Sequence, residues 1–402
     1  MEGQSPDYAN LLHPQEEMLE VARQSSALVI GVPREVSGQE NRISLVPDGV
    51  ALLCRNGHQV MVEQGAGITA HFTDHEYSEA GARIMNSSKE VFQADIVLKV
   101  APPSPEEMEL LRPRMTLISS IQVTLQCEEY FRSLLSKKVT ALAFEFIRDR
   151  TKQLSIIRAM SEIAGSTSIF VAAEYLANPE YGRGKMFGGF TGINPSEVVI
   201  IGAGTVAEFA ARSAIGLGAQ VKIFDNSVYR LRRIQNNLGR RVFTSILHPK
   251  VLLESMRTAD VLIGALHTHE GRTPCIITEE MIRQMKEGSV AIDVSIDQGG
   301  CFETSRPTTH KSPVYKVHGV THYAVPNIPS KVPHTASQAL NNIIVPILLQ
   351  MGSEGGMENL LKNDAGVRQG VYSYNGILTN PFISRLYNLP FQDIGLLMAA
   401  YH

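Results

Sequence analysis

The chain of 402 residues contains no tryptophan and only four cysteines, and it has no long run of apolar residues or of charges of one sign. The cysteines lie far apart, without the C-x-x-C spacing of zinc ribbons or the density of a disulfide framework. This usage favours a reducing compartment, and we expect a cytoplasmic protein. The four are Cys54, Cys127, Cys275 and Cys301.

Charge is nearly balanced, with 37 basic and 40 acidic residues and a formal net charge of -3. A near-neutral chain without basic runs has no electrostatic footprint for nucleic acid, and the cluster Arg230, Arg232 and Arg233 is more typical of a solvated helix face. The most apolar late segment, IIVPILLQM, is about half the length that a bilayer crossing needs. We therefore expect neither a nucleic-acid partner nor a membrane segment.

The order of apolar and polar residues predicts two domains, because 402 residues exceed one ordinary core. Short β-rich runs alternate with helical patterns, which favours the α/β class with doubly wound, mostly parallel sheets. We predict a substrate-binding domain over 27–157 plus 334–402, a Rossmann dinucleotide-binding domain over 158–333, and a cleft between them. Residues 1–26 are acidic and polar, unlike a secretory signal, and predict an additional amphipathic helix.

The strand predictions follow the apolar runs. In the first domain they fall in ALVIGV, QVMVE, ADIVLKV, TLISSI and VTALAFE, and in the second in VVIIG, VKIFD, RVFTS, DVLIGAL, SVAIDVS and THYAV. Six strands suit a complete dinucleotide-binding sheet. The segment TASQALNNIIVPILLQM predicts one long helix, after which we expect the chain to return to the first domain.

The stretch VVIIGAGTVAEFAA, residues 198–211, predicts a strand, a glycine turn and a helix. Gly202 permits the tight turn and Gly204 lets the backbone approach a pyrophosphate, while Ala207 stands where a third glycine often occurs. The free N–H groups at the start of the helix, around Thr205 and Val206, would hold the phosphates. This unit indicates a dinucleotide site.

Asp225 ends the next predicted strand, 23 residues after Gly202. A carboxylate at this position accepts hydrogen bonds from the ribose hydroxyls and repels a 2′-phosphate, so NAD is favoured over NADP as the cofactor. Arg230, which we include in the cofactor site, and Arg233 keep NADP open as an alternative.

Several further blocks occur in one order: IGVPREVSGQENRISLVPDGV, NGHQVMVEQGAG, ADIVLKVAPP, MSEIAG, GSVAIDVSIDQGGCFETSRPTTH and HYAVPNIPSKVP. Together, from about Ala27 to about Tyr374, they resemble the alanine dehydrogenase family, whose fold is shared with the NAD-binding subunit of the proton-translocating transhydrogenase. The resemblance implies an enzyme of amino acid metabolism that forms a homo-oligomer. The reaction it implies is reversible oxidative deamination, in which L-alanine, NAD and water give pyruvate, ammonium and NADH.

The resemblance also implies roles for individual residues. The guanidinium of Arg42 suits a two-bond clamp on a substrate carboxylate, although a surface ion pair is the plainer alternative. Lys99 ends an apolar strand, so its amine is expected to reach the cleft, bind substrate and polarise the keto oxygen; most strand-end lysines are merely solvated. Asp297 follows a strand at its carboxyl end and is expected to help with proton transfer. Asn327 and Ser161 match positions near the cofactor, or they cap turns.

One departure concerns catalysis. The histidine that the family uses would fall at Gln122, and no histidine occurs between His75 and His248. An amide can hydrogen-bond a keto group but cannot exchange a proton near neutral pH. Two alternatives therefore stay open: a transhydrogenase-like or regulatory NAD-binding protein without alanine dehydrogenase activity, and a dehydrogenase of another amino acid.

A second departure is the segment ALHTHEGRTPC, where the family has an apolar segment of the Pro-Gly type. His267, His269 and Cys275 could suggest a metal, but no fourth ligand has suitable spacing, so we expect no metal. A polar loop over the adenine or nicotinamide is the alternative. His334, where the family tends to carry a basic residue, is expected to make a contact at a helix start.

Overall fold

The computed structural model describes residues 26–268 and 272–400. The helix predicted for residues 1–26 lies outside this range apart from its last residue, and so does His269. Within the described residues the chain forms two α/β units, each built on one mostly parallel sheet. The predicted fold class is confirmed.

The strands are short and regularly interspersed with helices. They are β1 (Val29–Val32), β2 (Gln59–Glu63), β3 (Arg83–Met85), β4 (Ile96–Leu98), β5 (Thr116–Ser119), β6 (Thr140–Ala143), β7 (Glu197–Ile201), β8 (Gln220–Phe224), β9 (Phe243–Ser245), β10 (Val261–Gly264), β11 (Val290–Asp293), β12 (Val314–Val317), β13 (Val320–Tyr323), β14 (Val371–Tyr374) and β15 (Ile377–Leu378).

The helices cover both faces of the two sheets. They are α1 (Pro47–Arg55), α2 (Asp74–Glu79), α3 (Ser88–Val91), α4 (Pro105–Leu110), α5 (Glu128–Ser136), α6 (Ser155–Ala177), α7 (Thr205–Gly216), α8 (Val228–Leu238), α9 (Pro249–Thr258), α10 (Glu279–Arg283), α11 (Pro333–Ser353), α12 (Met357–Asn363), α13 (Ala365–Gln369), α14 (Pro381–Tyr387) and α15 (Ile394–Ala400).

The first sheet has the strand order β3-β2-β1-β4-β5-β6-β14-β15. Its first six strands are parallel, whereas β14 runs antiparallel to β6 and β15 antiparallel to β14. The five strands predicted here are present. The structure adds β3, β14 and β15, whose lengths of two to four residues gave no apolar run to recognise. The strands β14 and β15 bring the segment after α11 back to the first sheet.

The second sheet has the order β12-β13-β11-β10-β7-β8-β9. Taken from β7, this is the 3-2-1-4-5-6 order of dinucleotide-binding sheets. All six predicted strands are present, and β12 pairs antiparallel with β13 through a tight hairpin. His318 and Gly319 form that turn, both with positive φ (50° and 75°), as two-residue hairpin turns require.

Each sheet buries both of its faces. In β4, Ile96 and Leu98 pack into one apolar cluster and Val97 into another on the opposite side. In β7, Val198 and Val199 likewise belong to different clusters. Continuous apolar strands of this kind are typical of parallel sheets covered by helices on both sides.

The helix α6 packs against α7 at the start of the second sheet. A Cβ at Gly165 would lie 2.4 Å from the backbone oxygen of Val206, so this close approach requires glycine. By length and composition alone α6 could cross a membrane, which the sequence analysis did not single out. The buried core helices of other proteins pass the same test, and α6 lies between α7 and α11.

Candidate active site

Polar side chains collect at the carboxyl ends of the central strands of both sheets. In the first unit Arg42 follows β1, Lys99 follows β4 and Gln122 follows β5; in the second, Asp297 follows β11 and Asn327 follows β13. Ligands of open α/β sheets bind at this edge, outside the carboxyl ends of the strands. The two units therefore each contribute residues to a shared site.

Hydrogen bonds join the two edges directly. The backbone N–H of Asn41 donates to Oγ of Ser330 at 2.8 Å, and its side-chain amide donates to the Ser330 backbone oxygen at 3.2 Å. Within the first unit, the backbone N–H of Ile43 also donates to Oγ of Ser337 in α11, at 2.9 Å. The loop after β1 is thus fixed against the segment that begins α11.

Arg42 is buried and its guanidinium is held by Glu40. Nε donates to Oε1 and Nη2 donates to Oε2, each at 2.7 Å. Burial opposes the charge of Arg42, but the attraction and hydrogen bonds of Glu40, together with the charges of Glu35 and Asp297, raise the pKa of Arg42 and keep it charged. On the remaining side, Nη1 lies 3.1 Å from Sδ of Met160 in α6. Thioether sulfur is a weak acceptor, so the Nη1–Nη2 edge of the guanidinium can still bind a carboxylate.

Asn327 links this pair to the second unit. Its side-chain amide donates to Oε2 of Glu40 at 2.8 Å, and its backbone N–H donates to Oδ1 of Asp297 at 3.1 Å. Asn327 has φ 61°, a left-handed conformation that asparagine tolerates better than most residues. A structural reason for the asparagine at this position is therefore present in addition to any contact with a cofactor.

Asp297 is exposed to solvent, yet neighbouring protein atoms desolvate its carboxyl group. This desolvation raises the pKa of Asp297 to about 6, although the charge of Arg42 and the bond from Asn327 oppose the rise. A carboxyl group with this pKa can both accept and release a proton near neutral pH. Asp293, at the end of β11, instead accepts from Cys301, Phe302 and Ser305 and shapes the turn.

The amine of Lys99 is buried between two carboxylates, and its predicted contact with substrate stays a prediction. Nζ lies 2.8 Å from Oε1 of Glu107 and 3.1 Å from Oε2 of Glu35, and the side chain has no exposed surface. The two carboxylates come from the start of α4 and from the loop after β1, and they turn the ammonium inward. Burial raises the pKa of Glu35 to about 7, against the attraction of Lys99.

Gln122 lies in the exposed turn after β5 with φ 47°. Its backbone N–H and that of Ile121 both donate to Oε1 of Glu145, at 2.9 Å each. Glu145 is buried, which raises its pKa, and the charge of Arg42 acts on it in the opposite direction. The backbone of Gln122 is therefore fixed by Glu145, a carboxylate within range of the charge of Arg42.

The glycine turn after β7 has the form that the sequence predicts. Gly202 has φ 111°, and a Cβ there would lie 2.4 Å from the backbone oxygen of Ala265 after β10. Gly204 caps α7, and a Cβ there would meet no protein atom within 4 Å. The backbone N–H groups of Thr205 and Val206 follow in the first turn of the helix, with Ala207 buried beneath them. This cradle fits a pyrophosphate.

Asp225 is buried at the end of β8 and orders the turn. Oδ2 accepts from the backbone N–H of Ala203 at 2.8 Å, and Oδ1 accepts from that of Ser227 at 2.7 Å. Nη1 of Arg230 lies 4.0 Å from Oδ2, and Nη2 of Arg233 donates to the Ala203 backbone oxygen. The carboxylate and both arginines thus converge on the glycine turn.

The other predicted residues lie as follows. Ser161 lies on α6, next to the residue that contacts Arg42, and is half-buried. His334 lies in the first turn of α11, where Nδ1 bonds to the Ala70 backbone oxygen at 2.9 Å and the ring stacks on Phe72. His267 and Cys275 are exposed, and within residues 26–268 and 272–400 no group of histidine, cysteine or carboxylate side chains could hold a metal ion.

Four glutamates of the site were missed by sequence reasoning, because each resembles an ordinary solvated carboxylate in the sequence. One carried a usable signal: the segment SPEE predicts a capping box, and Glu107 does accept from the backbone N–H of Ser104. Its second oxygen, which bonds Lys99, could not be inferred from this motif. The four are Glu35, Glu40, Glu107 and Glu145.

The structure has two α/β units, a glycine turn at the switch point of the second sheet, and charged residues where the two units meet. These features together define one class of protein. This is the class of two-domain nicotinamide-dependent oxidoreductases with one dinucleotide-binding domain.

Within that class, the chain belongs to the Alanine dehydrogenase/PNT family. Residues 31–164 match the model of the family's N-terminal domain, and residues 168–381 match that of its C-terminal domain. The chain is 40% identical over 359 residues to an alanine dehydrogenase of Bacillus subtilis strain 168, a match that covers 89% of this chain and 94% of that one. The family resemblance stated from the sequence is confirmed.

Comparison with solved structures supports the same family. An L-alanine dehydrogenase superposes with a TM-score of 0.84 at 37% identity, covering 90% of this chain and 99% of that one. A transhydrogenase from Sinorhizobium meliloti superposes with a TM-score of 0.75 at 24% identity, covering 88% and 99%, which supports the shared fold alone.

Proposed function

We propose that this protein catalyses the reversible oxidative deamination of L-alanine to pyruvate and ammonium, with NAD as the hydride acceptor. The observation that carries the proposal is the charged, buried guanidinium of Arg42. Its Nη1 meets only the weakly accepting sulfur of Met160, which a substrate carboxylate would replace, and Asp297 of the second unit lies within range of its charge. Homologues named alanine dehydrogenase support the substrate class.

Arg42 would bind the substrate carboxylate through Nη1 and Nη2. Glu40 occupies the other edge and keeps the plane of the guanidinium fixed. A bidentate pair fixes both distance and orientation, which a lysine could not do. The substrate carbon would then lie between Arg42 and the second unit.

Asp297 would take protons from the substrate amine and from water. Its position after β11 and its pKa of about 6 suit this role, because it is mostly ionised at neutral pH yet a competent acid when protonated. Gln122 would orient the keto or imine group through its amide. Lys99 would support the loop of Glu35 instead of touching substrate.

The glycine turn and Asp225 would hold the dinucleotide. When bound, its nicotinamide ring supplies the hydride acceptor. Gly204 and the first turn of α7 would receive the pyrophosphate, and Asp225 would accept from the ribose. We propose NAD as the cofactor, because the 2′-phosphate of NADP would have to lie at the buried carboxylate of Asp225, which would repel it. We also propose that the protein is cytoplasmic and forms a homo-oligomer.

The test is direct. Purified protein is incubated with pyruvate, ammonium and NADH, and loss of NADH absorbance is followed from about pH 6 to about pH 10, the range of the relevant acids and bases. NADPH replaces NADH in a parallel series, and other 2-oxo acids replace pyruvate. Consumption of NADH with pyruvate supports the proposal, whereas consumption only with another oxo acid supports a different amino acid dehydrogenase.

A second candidate is a dinucleotide-binding protein that does not act on alanine. Gln122 and the inward orientation of Lys99 favour it, because neither supplies an acid or an electrophile to the cleft. In this case calorimetry detects NADH binding while the assay detects no turnover. Gln122→His would then create turnover, with Gln126→His, four residues further on, as the matched control.

A further inference from the structure

We propose that Glu145 and Tyr387 are positioning residues of this site, which fix the turn after β5 so that the side-chain amide of Gln122 is presented to the substrate. This rests on the proposed function, in which that amide orients the keto or imine group. Glu145 lies in the turn after β6, and Tyr387 is the last residue of α14. Both residues act through Gln122 and do not themselves touch substrate.

The backbone of Gln122 has an unfavourable conformation. Its φ of 47° lies in the left-handed region, which residues other than glycine seldom adopt. The residues that follow, Val123–Leu125, form one turn of 3-10 helix, in which the Leu125 backbone N–H donates to the Gln122 backbone oxygen at 2.8 Å. A left-handed residue persists where its surroundings impose it, and such residues cluster at active sites and ligand clamps. Contacts from outside the turn must therefore fix Gln122.

Glu145 supplies the first of these contacts. The strands β5 and β6 are parallel neighbours, so their carboxyl ends lie side by side. Oε1 of Glu145 accepts from the backbone N–H groups of Ile121 and Gln122 at 2.9 Å each, and Oε2 accepts from that of Ile121 at 3.1 Å. One carboxylate that binds two successive N–H groups fixes both peptide planes, and ionised acceptors make the stronger bonds. Glu145 thus sets the direction in which the chain leaves β5.

Tyr387 supports the other end of the turn. Its Oη lies 2.7 Å from the backbone oxygen of Val123 and 2.7 Å from that of Gln126, and it can donate to either. Its ring packs on Phe131 of α5, with the ring centroids 4.9 Å apart. Since Tyr387 follows Val123 by 264 positions, the last part of the chain helps to shape a turn of the first sheet.

The side chain of Gln122, in contrast, is exposed and makes no hydrogen bond to the part of the chain that the structure describes. A fixed backbone with an unengaged amide is pre-organised, because little conformational freedom remains to be lost when a ligand binds. The amide can donate to a keto oxygen. The charge of Arg42 acts on Glu145, which places the turn near the proposed carboxylate site.

The first test compares Glu145→Ala, Glu145→Gln and Tyr387→Phe. We expect kcat with pyruvate, ammonium and NADH to fall about 100-fold in Glu145→Ala and about tenfold in Tyr387→Phe, the scale of a misplaced group, while KM for NADH changes less than about twofold. Glu145→Gln keeps an oxygen that can accept from both N–H groups, so it should recover most of the lost rate. If it loses as much as Glu145→Ala, Glu145 acts through its charge and the proposal is overturned.

Two control variants accompany these. Glu109→Ala removes an exposed carboxylate of α4, and Tyr181→Phe removes the hydroxyl of a tyrosine in the second unit, where its ring packs on Tyr175. Both should behave as the parent protein. A fall in kcat of the same size in the controls would show a general effect of such substitutions and would overturn the proposal.

A double-mutant cycle separates positioning from a purely structural role. In Gln122→Ala the amide is absent, so the further change Glu145→Ala should lower kcat by less than about twofold. An equal cost of Glu145→Ala with and without the amide would show that Glu145 does not act through Gln122. Hydrogen exchange at the backbone amides of residues 121–126 should be faster in Glu145→Ala, while the second unit keeps the rates of the parent protein.

The last test needs no turnover. Oxamate, a carboxylate with a carbonyl oxygen that cannot be aminated, is titrated by calorimetry into protein saturated with NADH. Gln122→Ala and Glu145→Ala should each weaken oxamate binding about fivefold, and the double variant should bind no more weakly than either. If Gln122→Ala binds oxamate as the parent does, the amide is not presented to the ligand and the proposal fails. If the cycle is as expected while the parent shows no turnover, the proposed function fails and the positioning stands.

Discussion

Glu40 accepts two hydrogen bonds of 2.7 Å from the Arg42 guanidinium, one of 3.0 Å from the Arg42 backbone N–H, and a fourth of 2.8 Å from the Asn327 side chain of the opposite unit. One buried carboxylate thus fixes the residue proposed to bind substrate and fastens the two units to each other. The charge of Arg42 and the hydrogen bonds to Glu40 keep the pKa of this carboxyl below its ordinary value in spite of burial.

Replacing Glu40 therefore has a large expected cost. Glu40→Gln leaves a buried guanidinium without its charged partner, and we expect the free energy of unfolding to drop by about 3 kcal/mol at pH 7. Glu79→Gln breaks only an exposed pair with His75 and should change stability by less than about 0.5 kcal/mol. Urea denaturation of both variants measures this, and equal stabilities would contradict the role given to Glu40.

The pH profile should report Asp297. With its pKa near 6, kcat/KM for L-alanine should fall about tenfold for each pH unit below that value, because the protonated carboxyl cannot act as a base. In Asp297→Asn we expect a rate about 100-fold lower and no such limb. Asp95→Asn, at an exposed aspartate, should keep the parent profile. An acid limb that survives in Asp297→Asn would assign it to another group.

Substitutions at Gly202 and Gly204 should affect different properties: the first the stability of the fold, the second the binding of the dinucleotide. Gly202→Ala places a Cβ 2.4 Å from the Ala265 oxygen at φ 111°, and we expect it to cost about 2 kcal/mol or more of stability. Gly204→Ala meets no protein atom and has a φ of -87°, so stability should be almost unchanged. NADH affinity, measured by calorimetry, should nonetheless fall at least about tenfold in Gly204→Ala, because the methyl group lies where the pyrophosphate approaches. An unchanged NADH affinity in Gly204→Ala would show that the pyrophosphate binds elsewhere.

Stability should depend on pH through Glu35. The folded protein holds a proton on Glu35 up to about pH 7, whereas the unfolded chain releases it near 4.5. The folded state therefore loses stability as pH rises from 4.5 to 7, by roughly 3 kcal/mol if no other group compensates. Glu35→Gln should be less sensitive to pH over this window, so that its stability relative to the parent improves between pH 5 and pH 8. Glu109→Gln, at an exposed position, should show the same difference from the parent at both pH values.

Much of this fold could be predicted from the sequence, because parallel strands covered on both faces are continuous apolar runs. The stretch VVIIGAG predicts a strand and a glycine turn, and β7 and Gly202 lie there. Strand β15 has only two residues and forms because it pairs with β14. No local sequence pattern predicts this pairing. The hairpin of β12 was predictable in principle, since His318-Gly319 is a two-residue turn between β-rich segments.

Site residues could be predicted where their place at the end of a strand determines their location. They could not be predicted where side-chain packing determines the direction in which a side chain points. Asn327 bonds both Asp297 and Glu40, the partner of Arg42, as the common edge of the sheets requires. The direction of Lys99 depends on Glu35, 64 residues before it in the chain, and on Glu107, which belongs to a later helix. Neither contact follows from the pattern DIVLK. The roles of the residues themselves stay predictions.

The return of the chain to its first sheet also bears on folding. The hydroxyl of Ser373 in β14 donates to the backbone oxygen of Val139, a residue 234 positions earlier, beside β6. The second sheet lies between these two segments in sequence, so it emerges from the ribosome whole while the first still lacks an edge. Because distant pairing is slow and exposed edges aggregate, the nucleotide lobe should mature first and the other lobe should be the one that depends on chaperones during synthesis.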